Sequence, residues 1–258
     1  MVSRLVPAAL AAVFFAAPAC AQLRPMSDED LSRTRGQGLL AVSNSRLGDY
    51  DFTRIALDAD VELNASLRYM RLGDYRYALR EGTGADIDMP LLQFGQNGSK
   101  VQITNPYFEV VYHDTGDAAN PREVVGMRLG FDGIRGDVGL RANSVSGSLL
   151  VSGTDANGQA VTLDSRNDAG GGKRWDGSCS APCLPLAQVT AVRAGDTSGP
   201  SRDFWISVLK SGVQFQAPSG TSQLPDPAQA GVWLNWRDKL TALPAPTPAA
   251  APALPAVR

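Results

Sequence analysis

A long run of alternating apolar and polar residues constrains the fold of this chain more than any other feature. The apolar side chains of one parity are Ile55, Leu57, Ala59, Val61, Leu63, Ala65, Leu67 and Tyr69. The polar side chains of the other parity are Asp58, Asp60, Glu62, Asn64, Ser66 and Arg68. Such alternation predicts a β-strand with one apolar and one solvated face, because a helix would spread both sets over all its sides. At roughly 50 Å the strand would be longer than most, so a bend or turn near Asn64 is expected.

The rest of the chain is rich in short strand candidates and turn residues. Segments 148–152 and 160–164 flank the turn-forming segment 154–158, which predicts a hairpin. The other strand candidates include 186–194 and 204–216. Segments 100–104 and 107–112 flank a predicted turn at Asn105-Pro106, and segments 124–131 and 138–142 are separated by a predicted Gly-rich corner. The chain has 26 Gly and 17 Pro to form turns, and 43% hydrophobic residues to form a core. We therefore predict a mainly β protein, an antiparallel sandwich or an elongated sheet, with residues 41–240 as one β-rich domain.

A five-residue motif occurs twice. Residues 46–50 and 71–75 both read Arg-Leu-Gly-Asp-Tyr, and residues 128–132 are a looser echo of it. Gly-Asp favours a change of chain direction, so each copy predicts a corner between a strand and a turn. Three or more regular repeats would have indicated a solenoid, whereas two copies favour similar turns within one sheet.

Two short helices are expected at the ends of the domain. In the leader segment 22–40, Ser27 can cap a helix, Asp30 lies three positions on, and Gly36 can end it. This segment is interpreted either as a plain capping helix or as a docking or recognition signal. Near the other end, Trp233, Trp236 and Leu240 are spaced by three and four residues, which predicts a helix over 232–240 docked on the sheet.

Both ends of the chain carry segments that are expected to lie outside the fold. Arg4, an apolar run and the small-x-small site Ala19-Cys20-Ala21 are typical of a secretory signal peptide spanning residues 1–21. A lipoprotein acylated on Cys20 is the alternative. Residues 241–258 are rich in Pro and Ala, with Ala-Pro alternation within 244–255, which predicts an extended, disordered tail. No later segment is apolar enough to cross a membrane as a helix, so no integral membrane span is expected. The expected location is the periplasm or outer surface of a Gram-negative bacterium.

Cys179 and Cys183 are the two cysteines that would remain after cleavage. In an oxidising compartment, two cysteines four positions apart favour a local disulfide. A metal site is the alternative, but His113 is the only histidine and lies far away in the sequence. We predict the disulfide, with the role of pinning a turn.

No sequence motif points to catalysis, a cofactor or a metal. The chain has no Gly-x-Ser-x-Gly elbow, and His113 precedes a polar turn, which favours a structural histidine. No phosphate-binding or dinucleotide-binding loop is complete, and no calcium loop has its full series of oxygen ligands. The formal net charge of −2, with no basic block, argues against a nucleic-acid partner. No catalytic, cofactor-binding or metal-binding residue is therefore predicted.

A resemblance to a group of known proteins bears on function. The pattern Met-x-Asp-x-x-Leu-x-x-x-x-Gly-Gln-Gly at 26–38, followed by 52–58, resembles a loose group of exported Gram-negative proteins. Some of that group are described as pilus-system or surface-associated components, and the group implies no catalytic residues. We therefore expect a non-catalytic envelope or surface protein, including a pilus- or adhesion-associated one, that acts by contact with another envelope protein or by self-assembly. A carbohydrate- or small-ligand-binding β-sandwich and an envelope hydrolase that uses carboxylates are the alternatives.

Overall fold

The computed structural model describes residues 39–76, 83–96, 98–118, 121–155, 157–180 and 182–244. Fourteen strands account for most of these residues. They are β1 (Leu40–Leu47), β2 (Tyr50–Leu57), β3 (Asp60–Leu63), β4 (Ala65–Leu72), β5 (Ile87–Phe94), β6 (Val101–Asp114), β7 (Arg122–Arg141), β8 (Ser144–Val145), β9 (Gly147–Thr154), β10 (Ala160–Asp164), β11 (Ala191–Ala194), β12 (Trp205–Leu209), β13 (Gly231–Trp236) and β14 (Leu240–Ala242). The helical elements of the described part are two 3-10 turns, Ser165–Asn167 and Leu186–Gln188. The prediction of a mainly β protein is confirmed.

Six of the strands close into a barrel. Their order around it is β7, β11, β14, β9, β13 and β12, and β12 pairs back with β7. The pairings of β9 with β13 and β14 are parallel, and the other four are antiparallel. Barrel closure removes the edges of a sheet. The sequence predicted a sandwich or an elongated sheet, and neither prediction included a closed barrel.

The long strand β7 joins the barrel to an open extension. One part of the extension runs through β6 and β2 to β1, and β3 also pairs with β6. The other part consists of β5 paired with β7, and β4 paired with β5. The sequence predicted a Gly-rich corner between 124–131 and 138–142, but β7 crosses it as one strand of 20 residues. Gly136 has φ of 131°, so the backbone changes direction there without ending the strand.

The alternating run is divided where the chain changes sheet partners. β3 pairs with β6, whereas β4, which begins just after Asn64, pairs with β5. The Asn64 side-chain amide donates to the carbonyl oxygen of Ser99 at 2.6 Å and fixes this change of direction. The expected bend near Asn64 is therefore present.

The predicted helix over 232–240 is wrong. Residues 231–236 form β13, and a turn then leads into β14. All six residues of β13 are buried, so apolar side chains occupy both parities of the strand. Trp233 packs in one core cluster and Trp236 in the other. Because both faces of β13 are buried, Trp233 and Trp236 are apolar although they point to opposite faces. Their spacing of three residues resembled that of an apolar helical face.

The predictions for the two chain ends lie largely outside the described residues. The signal peptide 1–21 and the leader helix fall within 1–38. Of the predicted tail, residues 241 and 242 belong to β14, and 245–258 lie outside the described residues. The β-rich domain therefore extends slightly past its predicted end at 240. No helix of the described ranges is long and apolar enough to cross a membrane.

Candidate binding face

One face of the extension is apolar and open to solvent. The pairing register aligns Ile55 on β2, Phe108 on β6 and Leu129 on β7 in one row across the strands. The row continues to Ile206 on β12, and Val42 on β1 begins it. Successive residues of a strand point to opposite faces, so these cross-strand partners share one face. That face is the candidate binding surface of the protein, and we call it the apolar face.

Large side chains of the apolar face are unusually exposed. The exposed fractions are 43% for Met127, 56% for Leu129 and 52% for Val208. Met127 and Val208 lie opposite each other on β7 and β12, so their exposed surfaces are contiguous. Contiguous apolar surface is uncommon on monomeric proteins and marks interaction sites.

A groove runs along the apolar face with a volume of about 790 Å³. Leu40 contributes to its lining from β1, and Leu72 and Gly73 contribute from the end of β4. Phe131 and Phe204 also line it, with their rings stacked at a centroid distance of 5.0 Å. Among the described residues, none of the side chains that line the groove is charged. This part of the groove can therefore bind apolar surface but offers no charged side chain with which to recognise an ionic ligand.

The opposite face of the same strands holds a buried ionic network. Glu109 on β6 lies between Arg54 on β2 and Arg128 on β7 in the strand register. The Arg54 Nε donates to Glu109 Oε2 at 3.0 Å, and the Arg128 Nε donates to Oε1 at 2.6 Å. Arg54 also donates to Asp132 at 3.1 Å, so two carboxylates balance two guanidinium groups. The network ties three neighbouring strands together in one register.

Aromatic rings enclose this network. The Arg54 guanidinium lies 3.8 Å from the ring centroid of Tyr107, and the Arg128 guanidinium lies 4.2 Å from that of Phe215. Burial lowers the pKa of Arg54, but Tyr107, Glu109 and Asp132 outweigh it and raise that pKa above its ordinary value. Burial raises the pKa of the Tyr107 hydroxyl. Arg54 is therefore held in the charged state, and both guanidinium groups lie against aromatic rings.

A second, polar cavity of about 270 Å³ lies apart from the apolar face. Arg166, Arg202 and Arg237 contribute to its lining. Arg166 makes two hydrogen bonds to Asp226 at 2.6 and 2.8 Å, and Arg237 makes two to Asp164 at 2.9 and 3.0 Å. Two of the three guanidinium groups are thus neutralised within the protein.

Asp203 also lines the polar cavity and is the carboxylate there with a raised pKa. Burial is the largest cause of that rise. Both carboxylate oxygens accept backbone hydrogen bonds, Oδ1 from Asp238 N and Oδ2 from Arg237 N, each at 2.9 Å. Asp203 therefore holds the turn between β13 and β14, which is a structural role.

The residues singled out in the sequence lie in separate places. Cys179 and Cys183 are at disulfide distance, with their Sγ atoms 2.02 Å apart, as their spacing predicted. His113 lies at the end of β6, with its ring 5.4 Å from that of Tyr50. No group of three His, Cys, Asp or Glu side chains within the described ranges is placed to hold a metal ion. The structure does not bring these residues into one site.

The apolar face was not predicted from the sequence, although the residues contain a signal for it. Segment 107–111 is apolar on both parities, with Glu109 as its only charge, and 124–131 has Arg128 at its centre. Single opposite charges inside apolar strands indicate a buried ion pair on one face. The apolar residues that alternate with these charges along each strand then have to lie on the opposite face of the sheet.

Comparison of the chain with protein-family models, with curated proteins and with solved structures finds no match. The apolar face and the polar cavity are therefore the features of the molecule that bear on its function.

Proposed function

We propose that the protein is a non-catalytic component of the bacterial envelope or cell surface that binds another protein through its apolar face. The single observation that carries the proposal is the contiguous exposure of Met127, Leu129 and Val208 beside an apolar groove. Burying exposed apolar surface of this kind against a partner stabilises the complex by about 25 cal/mol for each Å² removed from water. The partner surface is apolar at its centre, since no charged side chain of the described residues lines the groove.

A partner protein suits this face better than a small ligand does. The apolar row crosses β1, β2, β6, β7 and β12, so the surface is broad as well as grooved. Small-molecule sites combine apolar walls with a few polar groups that orient the ligand. Protein interfaces have an apolar centre and a polar rim instead. Arg46 and Asp114, which pair at 3.2 Å near the end of the β1–β2 hairpin, belong to such a rim.

The ionic network supports the apolar face from below. Arg54, Glu109 and Arg128 hold β2, β6 and β7 in register, so the row of apolar residues above them is held in place. A preorganised surface binds more tightly because less conformational entropy is lost on binding.

Site-specific photo-crosslinking in intact cells tests the proposal. A photoreactive residue at Leu129 should give a discrete adduct with one identified protein. The matched control is Leu224, which is 48% exposed but does not line the groove. Purified partner should then bind the protein, with at least tenfold weaker affinity for Met127→Asp and unchanged affinity for Leu224→Asp. Equal adducts at both positions, or no effect of Met127→Asp on a folded protein, would overturn the proposal.

The cellular location is part of the same proposal and needs its own measurement. Protease accessibility of the tagged protein should be compared in intact cells and in cells with an opened outer membrane. Cleavage in intact cells would place the protein on the surface, and protection until opening would place it in the periplasm. Retention in the cytoplasm would contradict an envelope role.

A second candidate function is the binding of a small polar ligand, such as a carbohydrate, in the polar cavity. The observation in its favour is Arg202, whose guanidinium lines the cavity and has no ion pair among the described residues. Planar guanidinium groups donate to ligand oxygens in a fixed geometry. Thermal unfolding with a panel of glycans tests this candidate, because a ligand that binds only the native state raises its stability. The shift should disappear in Arg202→Gln, and no shift with any glycan would exclude this function for the panel used.

A further inference from the structure

The outer edge of β1 carries a row of backbone groups that pair with no other described strand. Asp58 N donates to Leu39 O at 3.1 Å, so residue 39 directs its backbone hydrogen-bonding groups toward β2. In an antiparallel pair, successive residues direct their backbone N–H and C=O groups alternately toward the neighbouring strand and away from it. The backbone groups of odd-numbered residues of β1 therefore point toward β2, and those of even-numbered residues point outward. Leu40, Val42, Asn44 and Arg46 therefore present their N–H and C=O groups along the free edge. Within the described residues, β2 is the only strand that pairs with β1.

Other outer strands of this protein are protected against pairing, in contrast to β1. In β4, Tyr69 has φ of 56°, which interrupts the edge, and Arg68 and Arg71 add charge to it. The outer edge of β10 is covered, because Leu184 N donates to Thr162 O at 3.1 Å. Proteins use such irregularities, charges and covering segments to prevent strands from pairing at their edges.

The edge of β1 has almost none of these protections. Its eight residues include no proline and no left-handed residue, and Arg46 is the only charged one. All of the residues from Leu40 to Arg46 are exposed. A long regular edge with exposed Leu and Val side chains is suited to pairing with another strand.

We propose that β1 pairs antiparallel with β1 of a second copy of this chain, with the two-fold axis at Ser43. In this register Val42 lies opposite Asn44 of the other copy, and Leu40 lies opposite Arg46. Every outward-facing residue of β1 then has a partner. A two-fold interface must be self-complementary, and an antiparallel pair of identical strands meets that condition.

Charge supports a second copy as the occupant. The only charged side chain of β1, Arg46, is already paired with Asp114 at 3.2 Å within its own copy. The proposed register places it opposite Leu40, so the two Arg46 residues do not face each other. Like charges directly opposite each other would have destabilised the pairing.

The pairing has a consequence for the apolar face. Leu40 lines the groove, and the other even-numbered side chains of β1 share its face. Pairing two copies would therefore join their apolar faces into one continuous surface. This inference does not depend on a partner protein, and its failure would leave the proposed function untouched.

Cysteine crosslinking tests the register directly. Ser43 and its copy would form a pair without hydrogen bonds, in which Cα atoms lie about 4.5 Å apart, within disulfide range. Ser43→Cys should give a covalent dimer of the purified full chain under mild oxidation, reversed by reductant. The matched control is Ser45→Cys, since the two Ser45 residues would lie about 13 Å apart, too far for a disulfide. Equal crosslinking of both variants, or none of Ser43→Cys, would overturn the proposed register.

Sedimentation velocity over a range of concentrations tests the dimer itself. The unsubstituted protein should sediment as a dimer at high concentration, and Val42→Pro should shift it to the monomer by removing an outward N–H. Val42→Thr keeps both the N–H and the preference for strand, so it should remain dimeric. Circular dichroism of each variant shows whether it has folded. A folded, unsubstituted protein that stays monomeric at every concentration would overturn the proposal, whatever the behaviour of Val42→Pro.

Discussion

Glu109 and Arg128 face each other across β6 and β7 as a buried ion pair, with Oε1 of the carboxylate 2.6 Å from Nε of the guanidinium. Their exposed fractions are 1% and 3%. Two charges at this depth are costly to transfer from water, and the cost is offset only because Arg54 and the aromatic rings complete the network. The pair therefore stabilises the fold only when it is intact.

Removing the carboxylate should destabilise the protein strongly. Glu109→Ala leaves Arg54 and Arg128 without their shared partner, so we expect the free energy of unfolding to fall by about 3–5 kcal/mol. Urea unfolding followed by tryptophan fluorescence measures the loss. The control is Glu123→Ala, because Glu123 pairs with Lys210 at 3.0 Å on the surface. That change should cost less than about 1 kcal/mol, and equal losses for the two variants would contradict the assigned role of the network.

The two copies of the five-residue motif should respond differently to the same substitution. Gly48 and Gly73 have φ of 60° and 70°, so alanine is strained at both positions. A Cβ at residue 48 meets nothing, whereas at residue 73 it would overlap the carboxylate of buried Asp86. We expect Gly48→Ala to cost about 1–2 kcal/mol and Gly73→Ala about 3 kcal/mol or more.

Urea unfolding of the two glycine variants side by side measures this difference. Each variant serves as the control for the other, because the sequence around the glycine is the same. A loss at residue 48 as large as that at residue 73 would show that the contact with Asp86 contributes nothing.

Asp226 should make stability depend on pH in the acidic range. Burial raises its pKa, but hydrogen bonds from Arg166 and Ser148 outweigh burial and lower the pKa below the ordinary value of 3.8. A folded-state pKa below the unfolded one contributes stability above about pH 3.8, and this contribution is lost as the pH falls through the folded-state pKa. Asp226→Asn should therefore be destabilised at pH 6 and differ less from the unsubstituted protein at pH 2.5.

The free energy of unfolding at several pH values between 2.5 and 6 checks this prediction. Asp203 has a raised pKa and contributes in the opposite direction, but it is present in both proteins and cancels in the comparison. The charge-matched control is Asp58→Asn, since Asp58 makes no ion pair among the described residues. A difference that stays constant with pH for Asp226→Asn would refute the prediction.

The disulfide should contribute modestly to stability. It closes a loop of only five residues, which in the loop-entropy model corresponds to about 2 kcal/mol. Replacing both Cys179 and Cys183 with serine should lower the free energy of unfolding by about that amount. Adding reductant should destabilise the unsubstituted protein and have no effect on the double variant. An unchanged count of alkylatable thiols after reduction would show that the bond does not form in the protein.

The sequence predicted local features more accurately than their arrangement. The hairpin of β9 and β10 was predicted because the turn residues at 154–158 specify it locally, and their strands pair in register. The break at 105–106 was wrong, because β6 runs through both residues. Asn105 adopts φ of 46° there, and pairing with β7 on both sides keeps the strand continuous.

By itself, the amino-acid sequence determined that this protein is built from strands, where the chain bends near Asn64, and that Cys179 and Cys183 are close enough to pair. The strand pattern and the cysteine spacing involve residues near each other in the chain, and the bend was expected from the length of the alternating run alone. Only the tertiary structure decided the closure of the barrel, the strand state of β13, the buried network around Glu109 and the exposure of Leu129. Each of these depends on pairing between distant segments. An alternating pattern shows that a strand has two faces, but only the neighbouring strands determine which face is buried.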